Sequence, residues 1–191
     1  MLSQLEEQIQ QARHAVDLNP RDATSLAKWG ECLLELSMLK QGPGDSQEAK
    51  QLLLLSVEKL RKSLEIYPDN HNAMVVLASA LNARAFLQPD HDVACELFEE
   101  AKGNFRRALE LDDSNPRYKE LLEAMDSAPQ LHAQVMQQLH AQGQSAAFGM
   151  GGGAGPKVSD EDWFYDWLGW GILIVGSLGV VAMLNAKAQG V

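Results

Sequence analysis

Five histidines and two cysteines are the side chains of this chain best suited to metal, nucleophilic or acid–base chemistry. His14, His71, His91, His132 and His140 are scattered along the sequence. None falls in an H-E-x-x-H pair, and none stands beside a cysteine at ligand spacing. Cys32 and Cys95 lie in segments of apolar periodicity and read as reduced packing residues. Carboxylates are abundant, but on helices they read as solvated faces. The glycine-rich run 141–156, AQGQSAAFGMGGGAGP, is no phosphate loop: no strand precedes it, and Lys157 stands between Pro156 and Val158 instead of before Ser or Thr. No catalytic constellation, metal or cofactor is expected, so recognition rather than catalysis is the chemistry to look for.

The elements that could position a recognition surface come from an internal repeat. RHAVDLNPRD from Arg13, RKSLEIYPDN from Arg61 and RRALELDDSN from Arg106 are self-similar, at offsets of 48 and 45 residues. Between them run matches to the tetratricopeptide pattern. First-helix matches are Leu26-x2-Trp29-Gly30-x2-Leu33 and Met74-x2-Leu77-Ala78-x2-Leu81. Second-helix matches are Ser56-x3-Leu60 and Ala101-x3-Phe105. Gly30 and Ala78 are small where two helices must approach closely. The usual unit is about 34 residues, so both units are stretched, with turn formers around 40–48 and 87–93; His71 and His91 fall in expected turns. Asn115-Pro116 opens a further helix. The expected fold is all-α: residues 1–140 form a tetratricopeptide-like solenoid of about seven helices, two elongated pairs between capping helices.

In such repeats the first helix of each pair lines the concave face. That face predicts a peptide-sized groove of Ala27, Glu31, Leu34 and Glu35 on one helix and Val75, Ser79 and Ala83 on the next. Leu34 at this spacing serves either the groove or the packing of the neighbouring helix. Chaperone-docking repeats hold an acidic peptide with a lysine and asparagine clamp. Here Ala27 and Val75 stand where lysine would be, and Glu31 and Ser79 where asparagine would be. Apolar patches beside acids suit the opposite ligand, an amphipathic, arginine-rich, acid-poor helix, which is the composition of mitochondrial presequences.

The last segment sets the expected location. Trp167 to Leu184, WLGWGILIVGSLGVVAML, carries no charge over 18 residues. As a helix it covers ~27 Å, close to a bilayer's hydrocarbon thickness. Trp163, Phe164, Tyr165, Trp167 and Trp170 suit the headgroup level, and Ile172, Ile174, Leu178 and Val181 the lipid interior. The expected organisation is a cytosolic head (1–140), a flexible glycine-rich linker (141–162), a single transmembrane tail anchor in outer-membrane lipid (163–186) and a short intermembrane-space tail (187–191). Net charge is −10. Only Asp160, Glu161, Asp162 and Asp166 of the acids lie beyond residue 156, so the acidity belongs mostly to the head. An acidic head disfavours nucleic acid and favours cationic partners.

Three further stretches are distinctive: Trp29-Gly30 with Leu33-Leu34-Glu35-Leu36-Ser37, Ala85-Phe86-Leu87 with Pro89-Asp90, and Ala128-Pro129-Gln130-Leu131-His132-Ala133. In these stretches the chain resembles the plant-type twenty-kilodalton receptor subunit of the mitochondrial outer-membrane translocase, the TOM complex. The order of parts also matches over nearly the whole chain. The resemblance implies a non-enzymatic receptor that binds presequences through hydrophobic surface and passes precursors to other translocase subunits. The alternative is a tail-anchored organelle-division adaptor that recruits a dynamin-type protein.

Overall fold

The computed structural model describes residues 2–40 and 46–148. Among them every regular element is helical: α1 (Leu2–Leu18), α2 (Ala23–Leu39), α3 (Ser46–Ile66), α4 (His71–Phe86), α5 (His91–Leu111), α6 (Pro116–Ala124), a 3-10 turn (Met125–Ser127) and α7 (Ala128–Phe148). The expected anchor and tail, with Trp167, Trp170, Ile172, Ile174, Leu178 and Val181, lie outside the described residues, as does residue 149 onward of the linker. Within the described residues no helix is long and apolar enough to cross a membrane.

Single polar residues set four helix starts. Asp22 accepts from the backbone amides of Thr24 and Ser25 at 3.0 and 3.2 Å. Asn70 accepts from Ala73, Asp90 from Asp92 and Val93, and Asn115 from Arg117. Each satisfies amides that have no partner inside the helix, a contribution of about 1 kcal/mol per cap. These caps correct the reading of two turns: His71 and His91 are the first residues of α4 and α5. The linker differs in a similar way, because α7 continues through 141–148. Alanine, glutamine and serine there tolerate helix, and Gly143 alone costs about 1 kcal/mol; the glycine cluster starts only at Gly149.

From α1 to α5 each helix packs chiefly on its neighbours in sequence, α1 on α2, α2 on α3, α3 on α4 and α4 on α5, whereas α7 folds back chiefly onto α5. α4 is the centre. Ala73, Met74, Leu77, Ala78, Ala80, Leu81, Ala83, Ala85 and Phe86 are all buried, on every side of the helix. Its five buried alanines keep α4 thin, so neighbours close on it from several directions. α5 is amphipathic instead and buries only the stripe Ala94, Leu97, Phe98, Ala101, Phe105 and Ala108. α6 lays Tyr118 over Met74 and Ala108, and Tyr118 hydrogen-bonds Asn72 and His71 at the start of α4. α7 closes the far end with Ala128, His132 and Val135.

Candidate peptide-binding surface

Helical arithmetic divides α2 into two faces. At 100° per residue, Ala27, Glu31 and Glu35 share one side, Leu33 lies across the helix from both glutamates, and Leu36 lies away from Glu31 and a quarter turn from Glu35. The sequence placed the groove on the first side, continued onto α4.

Of those residues, Leu34 and Ala83 are core. Leu34 is 6% exposed among Leu53, Val57 and Leu77, and Ala83 is 5% exposed in the same cluster. Neither presents a side chain to a ligand, so the alternative reading of Leu34, packing, is the one the fold adopts. Ala27 and Val75 are half-buried against that cluster. Ser79 turns its hydroxyl back to the carbonyl of Val75 at 2.9 Å. Glu31 is ion-paired with Lys28 at 2.9 Å. The hydrogen bond from Lys28 to Glu31 is the main reason the Lys28 ammonium is held above its usual range. Part of the negative charge assigned to this face is therefore already balanced. Glu35 is exposed.

The other side of α2 opens into a cleft that the sequence reading missed. α1 contributes Glu6, Glu7, Ile9 and Gln10, α2 contributes Leu33 and Leu36, and α3 contributes Leu52, around a volume of about 460 Å³. Leu5, Cys32 and Leu36 form the buried layer beneath, with Ile9 and Leu52 packed on it. Exposed Leu2 and Leu39 lie one helical turn beyond Leu5 and Leu36. The cleft thus has an apolar floor with two carboxylates on its α1 side. A sequence signal for it existed in Leu52–Leu55, because four consecutive leucines cannot all face inward on one helix. Leu53 is buried in the core, whereas Leu52 is half-buried and faces the cleft.

The histidines and cysteines are also less scattered than their spacing suggested. His91 meets both Cys95 and His132. Cys32 packs in the core with its thiol near Gln8 Oε1, and burial pushes that thiol's pKa up. No group of three potential metal ligands assembles among the described residues.

Comparison with known proteins shows the family of this chain. The family of plant-specific mitochondrial import receptor subunit TOM20 matches residues 1–187. Mitochondrial import receptor subunit TOM20-3 of Arabidopsis thaliana is 34% identical over 189 residues, 96% of this chain and 90% of the relative. TOM20-2 of the same plant is 39% identical over 120 residues, 63% of this chain and 55% of the relative, so that match spans about half of TOM20-2. TOM20-4 is 29% identical over 178 residues, 88% of this chain and 83% of the relative. A match over residues 1–187 favours the import receptor over the division adaptor. The chain belongs to the plant-specific TOM20 family of mitochondrial import receptor subunits.

Proposed function

We propose that this chain is a presequence receptor, and that the cleft between α1, α2 and α3 holds the apolar face of the presequence helix. The observation that carries this reading is the juxtaposition of half-buried Ile9 and Leu52 with exposed Glu6 and Glu7, over a floor of buried Leu33 and Leu36. An amphipathic helix presents leucines at i, i+3 and i+4 and arginines beside them, and this cleft matches both. The cleft is small enough that one helical turn or two fills it. The opposite side of α2, with Ala27, Glu31, Glu35, Val75 and Ser79, is the second reading; its exposed Glu35 favours it, and the pairing of Glu31 with Lys28 weakens it.

The head is read as a tetratricopeptide-like stack, supported by the sequential helix packing and by the glycine and alanine positions. Residues 163–186 are read as a single-pass anchor in the mitochondrial outer membrane, which leaves the head in the cytosol beside the other translocase subunits. The test is a titration of the full-length chain in detergent with a labelled presequence peptide. Ile9→Ser and Leu52→Ser should weaken binding about tenfold or more, by loss of roughly 1.5–3 kcal/mol of apolar contact per residue. Loss of binding in Glu35→Lys and Val75→Ser with the cleft variants unaffected would move the site across α2. No saturable binding in any form would remove the receptor reading itself.

A further inference from the structure

The start of α5 carries a group of side chains that neither surface uses. Cys95 Sγ lies 3.5 Å from His91 Nε2, one helical turn back. His91 Nδ1 lies 3.0 Å from His132 Nδ1 on α7, with the two rings near-parallel at 15° and their centroids 5.3 Å apart. His132 Nε2 lies 2.8 Å from the carbonyl of Gln88. One assignment of hydrogens satisfies the neutral set. A carbonyl only accepts, so His132 Nε2 carries its proton and His132 Nδ1 is an acceptor. His91 Nδ1 must then donate, which leaves His91 Nε2 as an acceptor facing the Cys95 thiol. His132 is fully buried, with Phe86 and Phe98 at 6.2 and 6.0 Å, so this orientation is held from the core.

A thiol, an imidazole with its free lone pair toward that thiol, and a third group that fixes the imidazole are the parts of an activated nucleophile. We propose that Cys95 is an oxidation site for a small neutral hydroperoxide, with His91 as its base. The surroundings select that class of oxidant. Cys95 is half-buried, and Asp92 and Glu99 lie one turn to either side of it on α5. Anionic disulfides are repelled there, whereas hydrogen peroxide is small and uncharged. In the step, the Sγ proton passes to His91 Nε2 and the sulfur attacks one peroxide oxygen. The S–O bond forms as the O–O bond breaks. The leaving hydroxide takes the proton from His91 and departs as water. Sulfur loses two electrons, the peroxide gains them, and the product is a sulfenic acid. Cys32, buried and without an imidazole on its thiol, is the internal control.

The test treats the full-length chain with hydrogen peroxide in the presence of dimedone and locates the adduct by mass spectrometry. The expected result is an adduct on Cys95 and none on Cys32. His91→Gln should slow labelling about tenfold or more, the lower end of what a positioned base supplies, and added imidazole should restore part of the rate. The reference is a thiol introduced by Val93→Cys in a Cys95→Ser chain. It shares the helix start but has no oriented imidazole, and it should react more slowly than Cys95 although Val93 is more exposed. Equal rates for the wild-type chain and His91→Gln would overturn the proposal. Should His91→Gln fail to fold, the reference thiol decides: a Cys95 no faster than that reference overturns it equally.

Discussion

Ser56 donates its hydroxyl to the carbonyl of Gly30 across 2.6 Å, and Ser63, seven residues on, does the same to Ala23 at 2.7 Å. Moving seven forward on α3 moves seven back on α2, so the two helices run antiparallel with this pair of contacts as their register. Gly30 makes the closer contact possible. A Cβ at that position would stand 2.6 Å from Leu60 Cγ and 3.1 Å from the Ser56 carbonyl oxygen.

Gly30→Ala should therefore destabilise the head although alanine is the better helix former. The propensity gain is about 1 kcal/mol. Forcing a methyl into a filled space costs about 1–3 kcal/mol, and Leu60, fully buried, has no solvent into which to withdraw. Urea unfolding followed by circular dichroism should show a lower midpoint than wild type. A raised midpoint would mean that α2 and α3 are less closely packed than this contact requires.

Ser56→Ala tests the same crossing from the other side. It removes one buried hydrogen bond with little change in volume, and the Gly30 carbonyl keeps its place within α2. A loss of about 1 kcal/mol is expected. Ser63→Ala should behave alike, and the double variant should be close to additive because the two contacts are two helical turns apart. The same denaturation experiment measures all three.

His132 gives stability a pH dependence. Burial among the aromatic rings holds its imidazole below the usual range; the hydrogen bond to Gln88 opposes this and the charge of His91 adds to it. Its folded value is thus lower than its unfolded one, near 6.5. Above that value both states are neutral and the packing contribution is fully present. As pH falls below it, the unfolded chain binds a proton that the folded chain refuses, and stability declines until the folded value is passed. Melting temperatures should stay flat above about pH 7 and fall toward pH 5. His132→Leu should remove most of that slope, and an unchanged slope would assign the acid transition to other groups.

Gly30, Ala78 and the start of α6, with Asn115 as cap and Pro116 in the first turn, were legible in the sequence because each reflects a local demand, close approach or an unsatisfied amide. The concave face was harder. A helix lining a groove and a helix buried between two neighbours share the same spacing, and Leu34 and Ala83 fell on the buried side because α4 is enclosed by more than one helix. The cleft under α1 depends on which way the leading helix lies over α2 and α3, and no residue pattern within α1 states that. The meeting of His91 with His132 joins residues 41 apart in sequence, so it emerges only when α7 folds back on the start of α5.

The cleft also separates two contributions to binding. Glu6 and Glu7 lie on exposed positions of α1, where charge acts through water and is screened beyond about 8 Å at physiological salt. Charge at such a rim speeds encounter more than it holds the complex. Glu6→Gln with Glu7→Gln should lower the association rate of a cationic presequence peptide and flatten its salt dependence, with a small change in dissociation. Ile9→Ser should do the reverse, because the lost contact is made only after docking. Stopped-flow fluorescence at two salt concentrations reads both. If the two kinds of variant alter the same rate constant, the carboxylates and the apolar floor do not act on the ligand in the order proposed. If the glutamine variant leaves association untouched while Glu35→Gln slows it, steering comes from the opposite side of α2.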